Sequence, residues 1–185
     1  HIVGAVAIPT YVQLRETELS HRIADAGASL VMVGVELLDD IRAAVRNASG
    51  APKVVVIPGV DAESYHSMDK LIEGRSSRIE YEDTVQDDLA LLLYSSGSTG
   101  RPKAACHSHA DLISVCDSYS RYCLNLSEKD ILGGPAGVPF ALGYGFFALF
   151  TLRFGAAAVL ESEKSPDKLL PLLRQCGVTV LVAVP

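Results

Sequence analysis

The residues Tyr94-Ser95-Ser96-Gly97-Ser98-Thr99-Gly100-Arg101-Pro102-Lys103 concentrate hydroxyls, glycines and one lysine in a stretch without an acid. Glycines let successive backbone N–H groups turn toward a single anion. Serine and threonine hydroxyls add donors, and a lysine ammonium adds a point charge suited to phosphate oxygens. Pro102 narrows the conformations open to the chain just before Lys103. The chemistry available to such a segment is the holding of a polyphosphate. A flexible Ser/Gly linker has a similar composition. Linkers, however, do not begin at the end of a buried strand, and residues 89–94 (LALLLY) read as one. The segment is not a Walker loop, which needs lysine directly after its second glycine; here Arg101 and Pro102 intervene. No G-x-G-x-x-G dinucleotide signature occurs.

Other reactive side chains form no comparable group. His107 and His109 make an H-x-H pair with no third ligand in reach by sequence, so packing or a helix start accounts for them better than a metal. Cys106, Cys116, Cys123 and Cys176 have no C-x-x-C spacing and read as thiols of a reducing cytosol. Cys116 and Cys123, seven apart, are expected on one helix face beside Leu112 and Tyr119. No basic start, apolar core and small-residue cleavage site mark a signal peptide, so a cytoplasmic location is expected.

The elements that must position the loop follow from periodicity. The chain has 185 residues, 49% apolar and 21% charged, enough to bury roughly 70% of its unfolded surface. Intrinsic disorder is excluded by that apolar content. The formal net charge is −6 with no basic run, which argues against nucleic acid as a partner. The charge is uneven: residues 1–94 hold 8 basic and 15 acidic side chains, residues 95–185 hold 8 and 7. The second half would tolerate an anionic ligand better.

Strands are expected at 2–8, 29–33, 53–57, 89–94, 156–160 and 178–184. Helices are expected at 16–26, 36–48, weakly at 62–73, at 108–123 and after Ser165-Pro166, with Pro171 kinking or shortening the last. Residues 74–88 read as a surface loop. The uncharged run 131–152 could span a bilayer by length, but its glycines and prolines break a continuous helix; a loop plus a buried helix fits it better. No membrane span is expected. Short apolar strands alternating with helices imply an α/β fold of mainly parallel sheets covered by helices. Ligands of such sheets bind at the carboxyl ends of strands, where the loop sits.

YSSGSTGRPKA resembles the phosphate-loop signature of the adenylate-forming (AMP-dependent) synthetases and ligases. The agreement runs over ten consecutive positions; Ala104 then stands where glycine is usual. The resemblance extends through GAVAIPTYVQLRETELSHRIADAGASLVMV, VPFALGYGFFALFTLRFGAAAVL and QCGVTVLVAVP, with His109 where the family often has histidine before a long helix. Within the family the chain is most similar to bacterial ligases of the benzoate and 2-aminobenzoate type.

The resemblance implies an internal piece of a large N-terminal domain built from parts of two sheet subdomains. Residues 1–130, including the phosphate loop 94–103, would belong to the first. Residues 131–185, with an acyl-pocket segment, would belong to the second. It implies ATP, Mg²⁺ and CoA as reactants and a carboxylic acid, aromatic among the candidates, as substrate. Ser95, Ser96, Gly97, Ser98, Thr99, Gly100 and Lys103 would bind the nucleotide phosphates, and Phe140 and Gly143 the acyl group. It implies no catalytic residue and no metal ligand within the chain. The family's adenine, ribose and magnesium residues and its C-terminal lysine are not found, so the piece alone is expected to be inactive. Two alternatives remain open: an adenylation domain that loads a carrier protein, and a non-catalytic nucleotide- or anion-binding module.

Overall fold

A computed structural model describes residues 3–48, 50–58, 65–95 and 101–183. Two compact units group by contact: residues 11–82 with 95–104, and residues 1–10 with 83–94 and 105–185. Leu112 packs with Ala90 and Leu91, and Tyr144 and Leu149 pack on the same cluster.

The first unit is a parallel sheet with helices. Strand β1 (Leu30–Gly34) pairs with β2 (Lys53–Ile57) from Leu30↔Lys53 to Gly34↔Ile57, and β2 pairs with the short β3 (His66–Ser67). Helix α1 (Glu16–Asp25) precedes β1, α2 (Leu38–Asn47) joins β1 to β2, and α3 (Met68–Ile72) follows β3. Val33, Leu38, Ile41, Val54 and Val56 form its core. Leu30 and Met32 stay about half exposed, so one face of β1 is left uncovered by the described residues. Residues 74–88 carry no helix or strand, as expected.

The second unit holds β4 (Leu89–Ser95), which pairs with β5 (Lys103–Ser108). Helix α4 (His109–Val115) follows and continues in π-type turns over Cys116–Cys123. A second parallel sheet has the order β7 (Ala157–Val159), β6 (Ile131–Gly133), β8 (Val180–Leu181). Between β6 and β7 run α5 (Ala141–Tyr144), π-type turns over Gly145–Phe150 and α6 (Thr151–Phe154); α7 (Pro166–Gln175) precedes β8. Cys116, Leu126, Leu132, Phe147, Phe150 and Val182 form the core here.

The same device ends a helix ahead of a strand in each unit. Gly27 (φ +59°) follows α1, with Ala28 N–H bonded to Ile23 O; Gly177 (φ +66°) follows α7, with Val178 N–H bonded to Leu173 O. Both are Schellman closures, and the positive φ explains the glycine. No described helix is long and apolar enough to cross a membrane.

Several expectations are corrected. The strand at 2–8 reduces, among the described residues, to a parallel bridge between Ala7 and Leu91, because Gly4 takes a positive φ of 67° that breaks the extended run. The weak helix at 62–73 is only α3; residues 61–64 lie outside the described residues. Strands β5 and β6 were not anticipated: Lys and Ala are poor strand formers, so KAACHS read as loop. Pro171 does not shorten α7; it withholds only one N–H, and Ser165-Pro166 starts the helix as expected. Cys116 is buried but Cys123 exposed. In π-type turns each residue advances by a smaller angle than in an α-helix, so a spacing of seven no longer returns to one face.

Candidate functional site

The loop is held at both ends by strands. At its start, Leu91 and Leu92 in β4 are buried. Leu92 N–H donates to Ala7 O (2.9 Å), and Ala7 N–H donates to Ala90 O (3.0 Å). Ser95 ends the strand and is exposed. Ser96, Gly97, Ser98, Thr99 and Gly100 lie outside the described residues. Arg101 and Pro102 lead into Lys103, which opens β5 with its side chain exposed.

The helix that follows does not offer its N-terminus to an anion. His109 N–H is bonded to Asp88 O and Ala110 N–H to Gln86 O (3.1 and 2.9 Å). Asp111 N–H is bonded to Ser108 Oγ, and Ser108 N–H returns to Asp111 Oδ2 (3.2 and 2.8 Å), a capping box. These bonds hold the Asp111 carboxyl below the usual carboxylate range, the Ser108 backbone bond most of all. In a Walker loop the helix dipole and its free N–H groups face the phosphate. Here a whole strand intervenes and the donors are spent, so anion binding falls to the loop itself.

Helix α1 meets the loop's exit. His21 Nε2 lies 3.2 Å from Pro102 O. An open groove of about 530 Å³ runs there, lined by Thr17, Ser20, His21 and Ala24 of α1 with Arg101 and Pro102. Asn47 Nδ2 donates to Glu16 Oε1 (2.6 Å) and ties the start of α1 to the end of α2. Sequence reasoning missed His21; the contact spans 81 positions, and no local pattern announces it.

The segment expected to wall an acyl pocket lies in the other unit. Phe140 is 48% exposed; its ring passes Gly137, and its N–H bonds to Gly137 O (3.1 Å). Gly143 is buried, and a Cβ there would lie 2.1 Å from Gly137 O. Neither residue lines the cavity that this segment walls. That cavity, about 270 Å³ and mostly apolar, is lined by Leu91 and Leu93 of β4, Leu112 and Val115 of α4, and Leu142, Tyr144, Phe146 and Leu149. His107 and Asp111 supply its polar edge. Burial raises the Tyr144 hydroxyl above the ordinary tyrosine value. Wall residues drawn from five successive elements have no common spacing that a sequence pattern would carry.

Among the described residues no carboxylate cluster offers magnesium a donor set. The loop has hydroxyls and an amine but no carboxylate, and no group of three His, Cys, Asp or Glu gathers among the described residues.

The AMP-binding enzyme family model matches residues 2–185. The chain belongs to this family. It is 32% identical over 183 residues to the benzoate–CoA ligase of Thauera aromatica, covering 98% of this chain and 34% of that one. The anthranilate CoA ligase AuaEII, solved with anthranoyl-AMP, superimposes with a TM-score of 0.89 at 27% identity, covering 96% of this chain and 35% of that one. ATP-bound MatB from Rhodopseudomonas palustris gives 0.75 at 27%, covering 95% and 33%. The family is the ATP-using, adenylate-forming one of the acyl-CoA ligases, and the α/β fold with parallel sheets is that of its N-terminal domain. The chain spans about a third of the length of the curated relatives it matches.

Proposed function

We propose that the protein activates a carboxylic acid as an acyl-adenylate and passes the acyl group to CoA. The observation that carries this reading is the sequence of the loop set at the carboxyl end of β4 in a chain of this family. The acid's oxygen attacks the α-phosphorus of ATP, the bond to the bridging oxygen breaks, and pyrophosphate leaves. The CoA sulfur then attacks the acyl carbonyl and AMP leaves. Ser95, Ser96, Gly97, Ser98, Thr99, Gly100 and Lys103 hold the β- and γ-phosphates, with Ser98 and Thr99 hydroxyls in direct contact. Donors placed there favour the charge that builds on the departing pyrophosphate. Mg²⁺ enters with the nucleotide rather than on ligands of this chain.

An aromatic acid is the substrate class. Supporting it are the similarity to a benzoate–CoA ligase and an anthranilate CoA ligase and the cavity of about 270 Å³. That volume lies just below the usual range for drug-sized ligands, about 300–1,000 Å³, and suits one ring better than a long acyl chain. Phe140 and Gly143 belong to this site by shaping its wall: Gly143 permits the close approach to Gly137, and Phe140 covers that turn. Residues 1–130 and 131–185 represent parts of two subdomains of the parent enzyme, which works in the cytosol; the four free thiols accord with that. The 185 residues alone do not form acyl-adenylate.

The test is mass detection of products from the full-length enzyme with ATP and benzoate, 2-aminobenzoate, a cinnamate or a medium-chain fatty acid, with and without CoA. An aromatic acyl-CoA is the expected product. Acyl-AMP that no CoA consumes would replace this reading with an adenylation domain serving a carrier protein. ATP binding without any adenylate would leave a nucleotide-binding module.

A further inference from the structure

His21 is the one long side chain of a helical stripe, Thr17, Ser20, His21 and Ala24, along the groove beside Arg101 and Pro102. These positions follow i, i+3, i+4, i+7 and so share a face of α1. The small neighbours let the loop's exit come close, and His21 reaches it, with Nε2 3.2 Å from Pro102 O. A carbonyl only accepts, so Nε2 carries the hydrogen and donates it.

The bond acts on Lys103 through the backbone. Pro102 C=O and Lys103 N–H belong to one planar peptide. Fixing that carbonyl fixes the plane from which the Lys103 Cα departs. Pro102 has its own φ locked, and it restricts Arg101 before it. With β4 holding the entry, the hydrogen bond from α1 sets the exit. Helix α1 is itself anchored: Ile23 is buried, and Leu19 packs on the core of its unit.

We infer that His21 is a positioning residue for ATP: its hydrogen bond to Pro102 orders the exit of the phosphate loop and aims Lys103. This rests on the phosphate-binding reading of the loop. It touches no reacting atom, so its loss raises the KM for ATP rather than that for the acid.

The full-length enzyme is compared with His21→Phe, which keeps the ring without the donor, and His21→Gln, which restores an N–H donor. ATP binding is measured by calorimetry, and ATP–pyrophosphate exchange with the preferred acid gives KM and kcat. His21→Phe is expected to weaken ATP binding and raise its KM about five- to tenfold, with the acid's KM unchanged and His21→Gln recovering most of the loss. Should His21→Phe not fold, His21→Ala replaces it in the same comparison. Unchanged ATP affinity in a folded donor-less variant, or equal loss in the Gln variant, overturns the inference and leaves the ligase reading standing. Weakened ATP binding in an enzyme that exchanges pyrophosphate with no acid does the reverse: His21 keeps its role and the ligase reading fails.

Discussion

The turn between β4 and β5 and the helical segment 141–154 are built on opposite plans. The segment between β4 and β5 has one strand at each end and a sequence of hydroxyls, glycines and cationic side chains. The helical segment has no charge before Arg153; it buries Phe147 and Phe150 and walls a cavity with Leu142, Tyr144, Phe146 and Leu149. A phosphate demands particular groups at particular spacing, because each oxygen needs a donor within hydrogen-bond reach. An apolar ring demands only volume, which many side chains supply equally well. Substitutions in the first region should therefore change chemistry with little effect on stability. Substitutions in the second should change stability or acid preference and leave ATP alone.

The largest effect expected is on the turn. Thr99→Ala in the full-length enzyme should lower ATP–pyrophosphate exchange about 100-fold, as loss of one donor aimed at developing charge does, while the melting temperature stays put. A fall in melting temperature of the same variant would break the comparison. Next comes Gly143→Ala. Its Cβ would sit 2.1 Å from Gly137 O, backbone that cannot swing away. The added methyl should cost roughly 2 kcal/mol of stability, read in thermal or urea unfolding. Leu142→Ala removes part of the cavity wall. Selectivity for the aromatic acid, as kcat/KM, should drop by about tenfold with the KM for ATP unchanged.

The smallest effect lies away from both regions. Asp130 accepts Ser127 N–H (2.9 Å) and Oγ–H (3.0 Å) and Thr179 Oγ1–H (2.9 Å), which joins the starts of β6 and β8. These bonds, the Ser127 backbone one first, hold its carboxyl below the usual range. A depressed carboxylate contributes stability that is complete above the unfolded value, about 3.9, and is lost as pH falls through the folded value. Asp130→Ala should cost ~1 kcal/mol near neutral pH, solvent screening included. The gap to wild type should close as acid unfolding proceeds below about pH 4. A gap independent of pH would remove the carboxylate from the account.

What could be read from the residues alone follows the same division. The strands Leu30–Gly34, Lys53–Ile57 and Leu89–Ser95 announce themselves as short, nearly continuous apolar runs, mostly β-branched in Lys53–Ile57. Gly27 and Gly177 announce helix ends because only glycine takes their φ cheaply. The loop stands out because its hydroxyls, glycines and lysine are the residue types that phosphate binding would need. Strand β5 does not: none of its KAACHS positions is buried, and pairing with β4 overrides weak propensity. The π-type turns after α4 and α5 have no sequence signature, and they move Cys123 off the face of Cys116. His21 and the cavity walls depend on contacts distant in sequence, which spacing along one element does not carry.

The central claim is that this loop serves adenylation of an acid. Its most direct test is ATP–pyrophosphate exchange by the full-length enzyme, wild type beside Thr99→Ala, with benzoate and 2-aminobenzoate. The account predicts exchange that depends on the aromatic acid in the wild type and collapses in the variant. Exchange that survives Thr99→Ala unchanged, or a wild type that binds ATP yet exchanges with no acid, would contradict it.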